Sequence, residues 1–199
     1  MTRARGFEDM ALEFGHEGVI VTLTCPSKYH NAYSKSAQRN PNWQGLMPYN
    51  GQQYLCRTWS RIRSELARKN IEIYGLRIAE PQHDGTPHWH MMLFMEKHRI
   101  DDFKFIVKRY SLEEDGDEKG AADNRCDFKL IDRNKGSATG YIAKYVCKNI
   151  DGKDLDKGVY GEDPIMAAQR VEAWASCWGI RQFQQIGGVS VTVWRELRR

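Results

Sequence analysis

Hydrophobic and polar positions alternate with two different periods along this chain, and the period separates the strands from the helices. A period of two predicts β-strands at residues 18–24, 71–80 and 88–94. A further strand is predicted at residues 125–133. Turn-forming residues at 81–87 join the second strand to the third, which predicts an antiparallel pair in the middle of the fold.

Apolar residues spaced three and four apart predict the helices. They are expected at residues 52–69, from Asp101 or Asp102 to Tyr110, from Ser137 to about Lys148, and from Asp163 to about Gly179. Polar residues predict a long loop at about 28–51, acidic residues a solvated loop at 111–124, and residues 180–199 are ambiguous. Strands with helices between them, around a central hairpin, predict an α+β fold on an antiparallel sheet.

Length and composition favour one folded domain spanning residues 1–199. The chain has 199 residues, of which 41% are hydrophobic and 28% charged, as is usual for folded soluble proteins. Its five cysteines are odd in number and widely spaced, which argues against a disulfide framework or a cysteine zinc site. Since neither a membrane-spanning run nor an N-terminal signal peptide is evident, we expect a cytoplasmic protein without a membrane partner.

Positive charge is concentrated in the predicted helix at residues 52–69. The formal net charge is only +4, but Arg57, Arg61 and Arg63 lie close together in this helix. Such a cluster permits a polyanionic partner and makes these arginines candidate contacts for nucleic-acid phosphates. The same pattern is also typical of a solvated helix face.

The strand at residues 88–94 carries a pair of histidines. His88 and His90 are two positions apart, so both imidazoles emerge on one face while Trp89 points to the other. Two nitrogen ligands thus converge from one rigid element, although two histidines at this spacing also occur on ordinary sheet faces.

The preceding strand offers a third ligand. Glu80 stands at its end and would lie beside His88 and His90 if the two strands pair. His83 and Asp84 in the connecting turn are the rival third ligands, and Glu80 is preferred. Mixed nitrogen and oxygen donors with open coordination positions suit Mn²⁺ or Mg²⁺, and also admit Zn²⁺.

Two tyrosines share a face of the helix predicted from Ser137. Tyr141 and Tyr145 are four residues apart, and each is followed three residues later by a lysine, Lys144 or Lys148. A tyrosine nucleophile has a pKa near 10 and requires nearby positive charge or a metal-polarised phosphate at neutral pH. On a helix considered alone, two tyrosines at this spacing are more often core residues of an amphipathic helix.

These motifs together resemble a known superfamily. VTLTCPS at 21–27, TPHWH at 86–90 and GYIAKY at 140–145 resemble the three ordered motifs of the HUH endonucleases. The DGTPHWH and YIAKY runs, with the segments 178–183 and 193–197, more closely resemble the replication gene A proteins of temperate tailed phages, which initiate rolling-circle replication.

The resemblance implies a five-stranded antiparallel sheet flanked by helices, with a metal at His88, His90 and an acidic ligand that we place at Glu80. Tyr141 and Tyr145 become alternative nucleophiles that nick single-stranded DNA at a replication origin. The cut leaves a 5′ phosphotyrosyl bond and a free 3′ hydroxyl. The implied setting is the cytoplasm of a bacterial host, with a host helicase as a further partner.

Three alternatives follow from the same residues. A histidine-triad nucleotide hydrolase requires a third alternating histidine, and Met92 occupies that position. A single-stranded DNA-binding module with a structural metal would leave the paired tyrosines unexplained. Within the superfamily, a plasmid relaxase or a transposase is the nearest rival.

Overall fold

A computed structural model describes residues 2–33, 36–134, 136–142 and 163–197 of the chain. Its strands are β1 (Glu17–Leu23), β2 (Tyr74–Pro81), β3 (Pro87–Met95), β4 (Cys126–Leu130) and β5 (Phe183–Ile186). Its α-helices include α1 (Thr2–Glu13), α2 (Pro48–Arg68), α3 (Ile100–Ser111) and α4 (Ala121–Asn124). Two further helices span Pro164–Cys177 and Val191–Glu196.

The five strands form one sheet in the order β4-β1-β3-β2-β5, and every neighbouring pair is antiparallel. The histidine-bearing β3 is the central strand. The α+β fold on a five-stranded antiparallel sheet is therefore confirmed.

Each face of the sheet is covered by a different set of helices. Side chains that alternate along β1 and β3 pack on one face against α2 and α3, with Trp89 and Met91 at the centre of that cluster. The opposite face packs against α1 and against a helical turn at residues 138–142. This second face carries the even-numbered residues of β3, including both predicted metal ligands.

Helix α1 is a feature that the sequence pattern did not predict. It buries Ala4, Phe7 and Ala11 against the sheet, while most of its other residues are polar or charged, so its apolar stripe is narrow. Helix α2 begins at Pro48, four residues before the predicted start, because proline suits the first turn of a helix. The ambiguous C-terminal segment supplies the edge strand β5.

The acidic segment predicted as a solvated loop is instead held against the chain that follows β1. The Lys28 ammonium lies 2.8 Å from Glu114 and 2.9 Å from Asp115. The buried Arg125 guanidinium lies 3.1 Å from the Glu118 carboxylate, which also accepts hydrogen bonds from Ser27. Ion pairs thus hold the predicted loop against the protein, while Glu113 and Asp117 remain exposed to solvent.

The long polar loop is organised by Asn40, which is 2% exposed. Its amide nitrogen donates to the carbonyl oxygens of Ser27 and His30 at 2.8 and 2.9 Å, and its amide oxygen accepts from the Asn42 N–H at 3.0 Å.

Among the residues that the structure describes, no helix has the length and apolar character needed to cross a membrane.

Candidate active site

Pairing of β2 with β3 brings the predicted metal ligands together. Glu80 lies directly opposite His88, and His90 lies opposite Ile78 on one side and Thr22 on the other. Residues paired across antiparallel strands point to the same face. The carboxylate and both imidazoles therefore project from the sheet face that is packed against α1.

The three side chains converge within a small volume. The Nε2 atoms of His88 and His90 are 2.8 Å apart, and Oε2 of Glu80 lies 3.8 Å from the first and 3.6 Å from the second. Two ligands at about 2.0–2.2 Å from one ion can be at most about 4.3 Å apart, so all three separations fit a shared cation. At 2.8 Å, the lone pairs of the two Nε2 atoms would repel each other unless a proton or a cation lay between them.

Burial and hydrogen bonding orient this set. Glu80 is 2% exposed and His90 is 8% exposed, so an ion bound here would be shielded on the protein side. Nδ1 of His90 lies 3.1 Å from Oγ1 of Thr22. When Nε2 is a metal ligand, Nδ1 carries the proton and donates to this hydroxyl, which fixes the ring. Glu80, His88 and His90 thus fit a divalent cation by donor type, separation and orientation.

The rival third ligands have other partners. Nε2 of His83 lies 3.2 Å from the carbonyl oxygen of Ala32. The buried Asp84 carboxylate contacts Nδ1 of His30 at 3.0 Å and accepts from the backbone N–H groups of Asn31 at 3.1 Å and Thr86 at 3.0 Å. These contacts join the β2–β3 turn to the long polar loop.

Asp84 should therefore stabilise the fold in a pH-dependent way. Burial raises the pKa of Asp84, but hydrogen bonds from His30 and Thr86 outweigh that effect and hold its pKa below the usual value. A depressed carboxyl pKa contributes stability above the unfolded pKa of about 4, and that stability is lost as the pH falls through the folded pKa. In Asp84→Asn, one carboxylate oxygen is replaced by an NH₂ group, which cannot accept a hydrogen bond from a backbone N–H. We therefore expect the free energy of unfolding at pH 7 to fall by about 1–3 kcal/mol.

Urea denaturation at pH 7 and at about pH 3 measures the effect of the substitution and the effect of pH. The wild-type chain should be more stable than Asp84→Asn at pH 7, and this difference in stability should shrink at the lower pH. The exposed Asp117 supplies a matched control through Asp117→Asn. Equal stability of the two variants at pH 7 would contradict this role of Asp84.

Tyr141 lies on the same side of the sheet as the three candidate ligands. In the helical turn at 138–142, Ala138 and Ile142 are 1% and 0% exposed and join the cluster formed by Ile20, Ile78 and Met92. Tyr141 is half-buried and packs against that cluster. The other members of the predicted tyrosine helix, Lys144, Tyr145 and Lys148, lie outside the described residues.

The three candidate DNA-binding arginines are on the far side of the sheet. Arg57, Arg61 and Arg63 are exposed on α2, which packs on the face opposite Glu80 and the two histidines. Arg61 pairs with Glu113 and stacks on the Tyr110 ring at 4.9 Å. The structure does not bring these arginines to the candidate metal ligands. Helical spacing alone could not predict this, because it does not say which sheet face a helix covers.

A cleft of about 640 Å³ opens beside His88. It lies between the chain after β1, the long polar loop, the β2–β3 turn and the acidic segment, and His30 and His83 also line it. Its position gives an extended ligand access to the edge of the candidate metal site.

The described residues thus define an α+β protein in which two histidines and a glutamate converge on the sheet face that also carries Tyr141. Comparison with known proteins identifies the family to which this chain belongs. Residues 1–153 match the family model described as bacteriophage replication gene A protein (GPA). The chain therefore belongs to this family.

Curated relatives cover the whole chain. It is 47% identical over 203 residues to the replication protein of Haemophilus phage HP1 and 49% identical over 205 residues to the replication gene A protein of Escherichia phage 186. It is 36% identical over 202 residues to the probable replication endonuclease from a prophage-like region of Salmonella typhimurium. The chain spans 26%, 29% and 25% of these proteins, respectively. No solved structure matches it.

Proposed function

We propose that this chain is the nicking module of a phage replication initiator, a metal-dependent endonuclease of the HUH type that cuts single-stranded DNA with a tyrosine. The observation that supports this best is the convergence of Glu80, His88 and His90 on the sheet face that carries Tyr141. Family membership and the relatives named as replication endonucleases support the same activity. Two core clusters on one sheet support assigning the chain to one catalytic domain.

Glu80, His88 and His90 would hold the divalent ion, with Mn²⁺ or Mg²⁺ as the expected metals. Bound there, such an ion supplies Lewis-acid stabilisation of the charge on a nonbridging oxygen of the scissile phosphate. Three protein ligands leave coordination positions open for that oxygen. Thr22 keeps the His90 ring in its ligating orientation.

The Tyr141 phenolic oxygen, or that of Tyr145, would attack the phosphorus in line with the 3′ oxygen. The O–P bond to tyrosine forms as the P–O3′ bond breaks, the phenol gives up its proton, and the 3′ oxygen gains one. The products are a free 3′ hydroxyl and a 5′ phosphotyrosyl bond. The bond energy is conserved, so the tyrosine can later be displaced by another 3′ hydroxyl to rejoin DNA.

A strand-specific labelling experiment tests this proposal. The chain is incubated with Mn²⁺ and a randomised single-stranded DNA library that carries different fluorophores at its two ends. The 3′ label should migrate with the protein under denaturing conditions, and the 5′ label should appear on a free fragment that a polymerase can extend.

The outcome also separates the alternatives. Attachment of the 5′ label to protein would reverse the proposed polarity. Retention of DNA only under native conditions would favour a single-stranded DNA-binding module with a structural metal.

The DNA path at the candidate site need not include the arginines of α2. Arg57, Arg61 and Arg63 remain candidates for contacts with DNA that has passed around the domain, since they are exposed on the opposite face. The cleft beside His88 is the more direct route for DNA next to the scissile phosphate.

A further inference from the structure

A carboxylate from α1 holds the start of the helical turn that carries Tyr141. Oε1 of Glu8 accepts a hydrogen bond from the Ala138 N–H at 2.7 Å. Oε2 accepts from the Thr139 N–H at 3.1 Å and from the Thr139 hydroxyl at 2.6 Å. Glu8 is 130 residues from Ala138 in the sequence, so this contact joins two distant parts of the chain.

Glu8 completes the hydrogen bonding of the first helical turn. The first N–H groups of a helix have no partner within the helix. The Gly140 N–H donates to the Ser137 hydroxyl at 2.9 Å, and the Tyr141 N–H makes the first helical bond, to the Ser137 carbonyl oxygen at 3.1 Å. The N–H groups of Ala138 and Thr139 depend on Glu8, and a carboxylate is the favoured partner at this end of a helix.

The position of Glu8 is itself fixed by packing. Its neighbour Phe7 is buried, as are Ala4 and Ala11 on the same face of α1, and all three contact the cluster that includes Ile142. Arg3 donates to the Val189 carbonyl oxygen at 2.9 Å, which ties the start of the helix to the C-terminal segment. Helix α1 is thus a packed support from which one carboxylate reaches the tyrosine-bearing turn.

The charge state of Glu8 suits this contact. Burial raises its pKa, but the hydrogen bonds from Thr139 and Ala138, together with the nearby Arg133, outweigh burial and hold the pKa below its usual value. Glu8 is therefore ionised at neutral pH, which is the form that accepts all three hydrogen bonds.

We propose that Glu8 is a positioning residue for the nucleophile: its carboxylate fixes the start of the turn at residues 138–142 and thereby sets where the Tyr141 hydroxyl lies over the sheet. The inference rests on the proposed function and extends it to α1. Glu8 itself makes no contact with DNA in this account. Its loss should slow the covalent step without weakening DNA binding.

The test uses the full chain with Tyr145→Phe, so that Tyr141 is the remaining proposed nucleophile. Glu8→Ala removes all three acceptor contacts, and Glu8→Gln keeps one acceptor oxygen in a side chain of the same shape. Asp9→Asn is the matched control, because Asp9 is an exposed acid one position along the same helix. For each variant, the single-turnover rate of adduct formation and the affinity for the same oligonucleotide are measured, with Mn²⁺ present.

We expect Glu8→Ala to lower the single-turnover rate about tenfold and Glu8→Gln to lower it about threefold, with DNA affinity changed less than about twofold. The melting temperature should fall by about 2–4 °C, as for the loss of one helix cap in a domain of this size. Amide hydrogen exchange should rise at residues 138–142. Asp9→Asn should match the parent in all four measurements.

Rates for both Glu8 variants within twofold of Asp9→Asn would overturn the inference, as would a loss confined to DNA affinity. If Glu8→Ala is unfolded at the assay temperature, Glu8→Gln decides the matter by the same criteria. If the Tyr145→Phe parent forms no adduct while the unmodified chain does, Tyr141 is not a competent nucleophile and the inference is overturned. If neither chain forms an adduct, the proposed function is refuted instead. Hydrogen exchange at residues 138–142 would then still show whether Glu8 holds this turn.

Discussion

Replacing both Tyr141 and Tyr145 with Phe should abolish covalent attachment to single-stranded DNA, a loss of at least about 10³-fold or about 4 kcal/mol in the barrier. Each single replacement should leave measurable nicking, because tyrosines four residues apart on a helix lie close enough for either to reach one phosphate. A second tyrosine also has a use: it allows a new junction to be cut while the first tyrosine still holds the original 5′ end. Denaturing gels of labelled oligonucleotide measure all three variants.

Phenylalanine keeps the ring, so a loss would report the missing hydroxyl rather than altered packing of Tyr141 on the sheet. Tyr110→Phe is the control, since Tyr110 lies on α3 at the opposite face. A double variant that still forms an adduct would exclude both tyrosines as the nucleophile.

His90→Ala should reduce nicking by about 10²–10⁴-fold while changing affinity for single-stranded DNA only a few-fold. His90 is buried and contributes one of the three converging atoms that we propose bind the metal. Its loss should therefore weaken metal binding without altering the exposed surface. Nicking assays with Mn²⁺ and calorimetric Mn²⁺ titration measure the two consequences separately.

The exposed His98 provides the matched control, and His98→Ala should bind Mn²⁺ and cut DNA like the parent. Failure of the parent chain to bind Mn²⁺, or cutting by His90→Ala at the parent rate, would refute the metal assignment.

The candidate metal centre could be predicted from sequence because its geometry depends on short-range rules. Alternation along β3 places His88 and His90 on one face, and a seven-residue turn region limits how β2 can pair with β3. Glu80 then falls opposite His88. The sequence already favours Glu80 over Asp84, and the structure adds that the Asp84 carboxylate contacts His30 instead.

The remaining features depend on contacts between distant segments. Helix α1 has a narrow apolar stripe, so the sequence pattern does not predict it. Only the structure shows that Glu8 on this helix contacts Ala138. The acidic segment has the composition of a solvated loop, and only the structure shows that it forms ion pairs with Lys28 and Arg125. Local pattern carries no information about which distant segment a charged residue contacts. For the same reason, the sequence does not show which face of the sheet carries the arginines of α2.

Peptide mapping of the covalent adduct shows directly which residue is the nucleophile. After the chain reacts with single-stranded DNA and Mn²⁺, nuclease trimming and proteolysis leave a short nucleotide remnant on one peptide, which tandem mass spectrometry locates. We expect a remnant joined through its 5′ phosphate to Tyr141 or Tyr145. A remnant on any other residue, or one joined through its 3′ phosphate, would contradict this expectation.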